Sequence, residues 1–194
     1  MYLLIKRMLD IVASISLIGV LLMPLLVIFV VIKSSSKDSV IYYSDRIGKD
    51  NDTFKMPKFR TMTSGAPEVA THLMKDADLH TTKIGKFLRK TSLDELPQLW
   101  SVIKGDMALV GPRPALYNQY DLIKLRTNNG VEKLTPGITG WAQINGRDDI
   151  SIEQKVQFDT EYLVRQSILF DFEILFKTFM HIALRRNLRR NISH

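Results

Sequence analysis

Asp94 and Glu95 stand side by side in Ser92-Leu93-Asp94-Glu95-Leu96-Pro97, just after Lys83, Lys86, Arg89 and Lys90. Paired carboxylates beside a run of cations suit a phosphate ester and a Mg²⁺ ion sharing one site. Mg²⁺ takes oxygen ligands, here with Asp94 as the candidate, and bridges phosphates, while Lys and Arg grip phosphate oxygens. A carboxylate is ionised at neutral pH and can itself attack phosphorus. A structural reading competes. Aspartate is a favoured helix N-cap, Ser92-x-x-Glu95 matches a capping box, and a basic cluster can be a solvated face. Pro97 bears on both readings: with Asp94 as the N-cap it falls at the third helical position, where its missing N–H costs nothing. The spacing therefore predicts a helix within 92–104, ended by Gly105, with Asp94 at its mouth and Glu95 in its first turn.

Other residues could grip a substrate. On a strand, Lys58 and Arg60 share a face and Phe59 points inward, giving either a diphosphate clamp or a half-buried edge strand. Arg113, between Pro112 and Pro114, sits on a stiff backbone that suits a guanidinium aimed at phosphate, or is an exposed turn residue. Trp141, Gln143, Asn145 and Arg147 lie in a glycine-bearing stretch that could bind a base or sugar, or Trp141 is a packing anchor. Asp76-Ala77-Asp78 has the look of a metal-binding DxD but follows His72-Leu73-Met74-Lys75 rather than an apolar strand, and reads as coincidence. The chain has no cysteine, which excludes disulfides, thiolate zinc sites and iron–sulfur clusters, and its four histidines lack close ligand spacing, so a zinc site without cysteine is not expected.

The 194 residues are 45% hydrophobic and 24% charged, enough for one modest domain plus an appendage. A net charge of +7 fits a phosphate-rich partner. The appendage is legible. Residues 11–32 carry no charge and are long enough to cross a bilayer. A straight span competes with a re-entrant hairpin, because Pro24 lies near the centre and basic residues flank both sides, Lys6 and Arg7 before, Lys33 and Lys37 after. In the hairpin, Ser14 or Ser16 is a candidate to satisfy the freed carbonyls.

Beyond the membrane segment, residues 40–62 read as two strands around a Gly48–Asn51 turn, with Pro57 confining the second strand to an edge. Short helices are expected at 82–90 and within 92–104, then helices at 115–128 and 151–166. Residues 136–147 read as a shaped loop or short strand. Phe172, Leu175, Phe176, Phe179, Ile182 and Ala183 form an apolar stripe on a last helix. The ordinary place for such a stripe is the core, though Arg185, Arg186, Arg189 and Arg190 also suit anionic lipid.

In this order, several segments resemble one family: Lys6-Arg7 with Asp10, Lys58-Phe59-Arg60-Thr61-Met62, Arg89 through Leu99, Gly111-Pro112-Arg113-Pro114 and Pro136 through Gln143. The chain resembles the monotopic phosphoglycosyl transferases, bacterial sugar transferases in their minimal form. The resemblance implies an α+β, mainly helical fold: a re-entrant membrane helix over 1–38 turning at Pro24, a compact catalytic domain over 39–184 with a small β-hairpin and interfacial amphipathic helices, and a basic tail over 185–194. One position departs from the family, Met23, where a serine often precedes the proline.

It further implies Mg²⁺-dependent transfer of a sugar 1-phosphate from a UDP-sugar to polyprenyl (undecaprenyl) phosphate, with release of UMP. This would be the first membrane step of glycoconjugate assembly, at the cytoplasmic face of a bacterial inner membrane. Asp94 matches the nucleophile, Glu95 its dyad partner, and Arg89 and Arg113 phosphate-binding positions; Lys58, Arg60, Gln143 and Arg147 complete the expected substrate contacts. Membrane lipids and a second copy of the chain are the expected partners, and nucleic acid is not. The alternative is a membrane-tethered basic protein that binds nucleic acid or anionic lipid without catalysis; it leaves Asp94-Glu95 without a purpose.

Overall fold

The computed structural model describes residues 1–35, 38–63, 65–66, 77–146 and 150–190, with 77–78 and 184–190 described along the backbone only. The fold is mainly helical around two small sheets. Helix α1 (Tyr2–Ser35) leads into the hairpin β1 (Ile41–Ile47) and β2 (Thr53–Phe59). Helices α2 (Ala77–His80), α3 (Lys83–Thr91) and α4 (Gln98–Lys104) follow, then strands β3 (Ala108–Val110) and β4 (Ala115–Leu116). The chain continues through α5 (Tyr120–Asn128), β5 (Gly137–Thr139), α6 (Trp141–Ile144), α7 (Ile152–Arg165) and α8 (Ile168–Arg190).

The hairpin forms where expected. Asp50 and Asn51 take left-handed backbone (φ 55 and 63), which short polar side chains tolerate, so the chain reverses and pairs Ile41 with Phe59 through Ile47 with Thr53. Strand β4 joins the far side of β1, leaving β2 at the edge, where Pro57 breaks no interior ladder. Strands β3 and β5 form a separate parallel pair. Around it Val110, Val131, Leu134, Tyr162, Phe170 and Ile174 make the main core. Helix α7 starts at a full capping box, Ser151 with Gln154.

Helix α1 lies on this domain at both of its ends. Arg7 donates to the carbonyls of Val102 and Ile103, the latter at 2.8 Å, so its guanidinium caps the last turn of α4, where the Val102 carbonyl also accepts from the Gly105 N–H. Lys6 reaches Asp171 at 2.8 Å, and Tyr2 donates to the same carboxylate at 3.0 Å. These flanking cations are therefore turned inward onto the domain. At the other end Ile28 and Ile32 pack with Val40, Phe59 and Leu88. The face between carries exposed Val12, Val20, Met23, Val27 and Val30.

Several expectations change. The 92–104 segment is not one helix: a 3-10 turn at Leu93–Glu95 precedes α4. The 115–128 stretch gives its first residues to β4, and 136–147 holds both β5 and the short helix α6. Of the stripe on α8, Leu175 packs against the core, but Phe170, Asp171 and Ile174 take the buried side and leave Phe172, Phe176, Phe179 and Ile182 exposed. Helix α1 runs through Pro24 without a break in its assignment. Ser16 bonds back to Val12, and the buried Ser14 hydroxyl meets no partner among the described residues, so neither serves the carbonyl freed four residues before Pro24.

Helix α3 is seated by Thr61, whose carbonyl accepts from the Thr82 N–H at 3.0 Å. Gly85 permits this approach: a Cβ there would lie 2.0 Å from the Thr61 carbonyl oxygen. Gly85→Ala should therefore displace α3 and cost about 1–3 kcal/mol despite the better helix propensity of alanine. Thermal melts of the detergent-solubilised protein would register the loss; an unchanged melt would show that α3 can shift freely.

Candidate active site

The turn that carries Asp94 and Glu95 is made by the chain on either side of it. Helix α3 stops at Ser92, which adopts φ 58, a left-handed conformation that ends the helix and redirects the backbone. Helix α4 begins only at Gln98, with Pro97 at its N-cap position. Asp94 thus caps no α-helix, and the Ser92 side chain makes no capping bond to the turn. The capping explanation of both acids fails. Asp94 is instead a buried carboxylate, 8% exposed, between two helices.

Glu95 has a defined electrostatic task. One oxygen, Oε1, accepts from Lys58 Nζ and from Arg113 Nη2, each at 2.9 Å. Burial alone would raise its pKa, but Arg113 and Lys58 hold it well below the usual carboxylate range. Asp94 moves in the other direction: burial raises it, Glu95 adds to the rise, and Lys58 and Arg89 oppose. Arg89 is held by Thr61, whose hydroxyl accepts from Nε at 2.9 Å. Burial lowers the Lys58 pKa, with Glu95 opposing that shift.

Arg46 is the functional candidate that sequence reasoning missed. It lies on the same face of the hairpin as Lys58, since β1 and β2 pair Arg46 with Phe54 and Tyr42 with Lys58. Burial and the neighbouring Arg113 bring its pKa down to about 10. Strand alternation along 42–46 was the available signal, but nothing in sequence said which face would meet the acids.

Other expectations part company with this cluster. Arg60, just past the end of β2, donates to the Ser39 carbonyl at 2.6 Å and stacks over Tyr42, so it does not share a clamp with Lys58. Trp141 is a packing anchor: its ring meets Phe158 and Phe170 edge-on and its N–H bonds Glu161 at 2.8 Å. Asn145 turns back to the Trp141 carbonyl. Arg147 and Asp76 lie outside the described residues. Gln143 does reach the site. It lines a cavity of about 310 Å³ together with Glu95 and Arg113, and its Oε1 finds no donor among the described residues.

That cavity is largely apolar, with Leu17 and Leu21 of α1, Leu96 and Leu99, and Ile182 of α8 in its wall. It runs from charged groups to the two helices that expose apolar side chains. Among the described residues no group of three acidic, histidine or cysteine side chains could enclose a metal. Asp94 is the carboxylate that could contribute an oxygen ligand to a Mg²⁺ ion, which takes oxygen ligands and usually keeps several waters.

The family model for bacterial sugar transferases matches residues 1–185. The chain belongs to this family. A UDP-galactose-lipid carrier transferase of Erwinia amylovora is 39% identical to this bacterial sugar transferase over 200 residues, covering 94% of the chain and 41% of the relative. A UDP-glucose:undecaprenyl-phosphate glucose-1-phosphate transferase of Escherichia coli K12 is 40% identical over 183 residues, covering 90% of the chain and 39% of the relative. The exopolysaccharide production protein ExoY of Rhizobium meliloti is 38% identical over 203 residues, covering 93% and 86% respectively. The chain thus spans about two fifths of the first two relatives and most of the third.

Because Glu95 is ionised in the folded site well below its ordinary 4.5, it adds stability above that pH, and the contribution fades as pH falls toward the depressed folded value. Glu95→Gln should lose about 1–3 kcal/mol at pH 7, where Lys58 and Arg113 are left without their shared anion. Its stability should also decline less steeply than wild type below pH 4.5. Melts across that range check both signs; parallel acid limbs would remove Glu95 as the anchor of the two cations.

Proposed function

We propose that this sugar transferase moves a sugar 1-phosphate from a UDP-sugar to polyprenyl phosphate at the membrane surface, through a covalent intermediate on Asp94. The observation that carries this reading is a buried Asp94, acted on by Lys58 and Arg89, next to Glu95, which lines a cavity whose wall includes α1. Lys58, Arg46, Arg113 and Arg89 outnumber the two carboxylates, a surplus suited to a diphosphate. The names of the Erwinia and Escherichia relatives supply the donor and acceptor classes.

In the first step an Asp94 oxygen attacks the phosphorus that bears the sugar. The bond from that phosphorus to the bridging diphosphate oxygen breaks, and UMP leaves with its electron pair. In the second step an oxygen of polyprenyl phosphate attacks the same phosphorus, the acyl phosphate bond breaks, and Asp94 returns as a carboxylate. Arg113 and Arg89 offset the charge that would keep a carboxylate from a diphosphate. Asp94 would hold Mg²⁺, whose charge would offset a further part of that repulsion. Glu95 holds Lys58 and Arg113 in place while both steps pass. The leucine-lined cavity suits the first isoprenyl units of the acceptor, whose chain stays in the lipid.

The lipid acceptor cannot leave the bilayer and the nucleotide cannot enter it, so the chemistry belongs at the interface. Helix α1 fits that demand as a re-entrant element. Its start (Lys6, Arg7) and its end (Ile28, Ile32) both contact the same domain, which favours an element held on one side of the membrane, the cytoplasmic side where UDP-sugars are made, over a span. The exposed Phe172, Phe176 and Phe179 of α8 suit the same interface.

Two measurements test this. Intact-mass analysis after incubation with Mg²⁺ and UDP-galactose, UDP-glucose or UDP-N-acetylgalactosamine should detect a sugar-phosphate adduct with one of them. Asp94→Asn should abolish that adduct and acceptor-independent UMP release; a fully active Asp94→Asn protein would take the nucleophile's role from this residue. Cysteines placed before Lys6 and after Lys37 should label from the same side of sealed vesicles, and labelling from opposite sides would make α1 a span.

A further inference from the structure

The loop that presents Arg113 is unusual in how it is held. Pro112 and Pro114 have no N–H, so at those positions the loop can be fastened only through carbonyls and side chains. All three successive carbonyls are used. The Pro112 oxygen accepts from the Gly137 N–H at 2.9 Å, the Arg113 oxygen from Arg126 Nη1 at 2.8 Å, and the Pro114 oxygen from Arg46 Nη1 at 3.2 Å. At the base of the loop Gly111 and Gly137 meet backbone to backbone. A Cβ on Gly137 would lie 2.1 Å from the Gly111 nitrogen, and one on Gly111 would lie 2.4 Å from the Thr135 carbonyl.

The middle clamp reaches furthest. Arg126 on α5 turns Nε and Nη2 onto one oxygen of Asp159 on α7, at 3.0 and 2.7 Å, which leaves Nη1 for the Arg113 carbonyl. The Asp159 side chain is 1% exposed and that of Arg126 12%. A buried ion pair is a weak source of net stability, because desolvation offsets most of the attraction. What this pair does supply is direction. The planar guanidinium, fixed by two bonds to Asp159, can donate its remaining edge along only one line. On that line lies the peptide whose side chain bonds Glu95 at 2.9 Å.

We infer that Arg126 and Asp159 are positioning residues that aim Arg113 at the phosphate site, so that α5 and α7 set the grip on the donor's diphosphate without touching it. The inference rests on the donor reading above. With the pair removed, the Arg113 peptide is free to rotate, Arg113 loses its fixed approach beside Glu95, and the nucleotide is held less tightly.

UDP binding to the full-length, detergent-solubilised protein, measured by calorimetry, separates this from a merely structural role. Single substitutions would strand a buried charge, so the informative variant is Arg126→Met with Asp159→Leu, which removes both. It should melt near wild type yet bind UDP about tenfold more weakly, and in an Arg113→Ala background it should add less than about twofold. Arg126→Lys, a cation that lacks the planar fork, should weaken UDP in the same way and is the second arm if the double variant does not fold. Unchanged UDP affinity in a folded variant would overturn the proposal. So would a full independent loss on top of Arg113→Ala, since that would show an effect not routed through Arg113. Wild-type protein that ignores UDP would sink the donor reading itself, a result distinct from either.

Discussion

A single carboxylate oxygen joins three parts of the chain. Glu95 Oε1 receives Lys58 from the hairpin and Arg113 from the double-proline loop, and Glu95 itself sits on the turn between α3 and α4. Without that anion, two cations on separate elements would face one another in a poorly solvated space, with Arg46 close behind. Two cations brought this close in a poorly solvated space need something negative to keep them together. Glu95 is that counter-ion, and the two cations on its one oxygen are what hold its pKa down.

The second constraint is where the site stands relative to lipid. Helix α1 is apolar enough to enter a membrane, yet it begins and ends against the domain rather than apart from it. Lys6 and Arg7 satisfy a buried carboxylate and two helix-terminal carbonyls instead of marking a boundary with water. The cavity wall then combines Leu17 and Leu21 with Glu95 and Arg113, so apolar and charged surfaces meet within one space. Helix α8 adds exposed aromatic residues beside it.

Much of this was legible in the sequence where a local rule decides the outcome. The Gly48–Asn51 turn, the edge position of Pro57 and the start of α7 follow from turn chemistry and proline's missing N–H. The acids, Lys58, Arg89 and Arg113 were legible by residue type. Local rules failed where two answers were both local. Ser92-x-x-Glu95 and an Asp before a proline satisfy helix-capping statistics, but the left-handed Ser92 makes a turn there and removes the helix they would have capped. The α8 stripe has the right period, yet period does not say whether core or lipid lies opposite, and the core took the adjacent face. Arg60 lost its expected partner because β2 ends one residue before it. Arg46, Arg126 and Asp159 were invisible because their meaning depends on elements far apart in sequence.

The two neighbouring acids also show how one environment can assign opposite tasks. Glu95 lies within bonding distance of two cations and stays ionised and occupied. Asp94, one residue earlier, is buried without so close a partner, so desolvation dominates and its ionised form is the less comfortable one. A carboxylate already saturated by ion pairs is a poor nucleophile, since attack would require breaking them. A desolvated carboxylate has less to give up and gains when its charge is passed to phosphorus. The divergence of the pair leaves Asp94 as the desolvated carboxylate and Glu95 as the group that holds the charges in register, a difference that follows from the surroundings of each acid and not from their order in the chain.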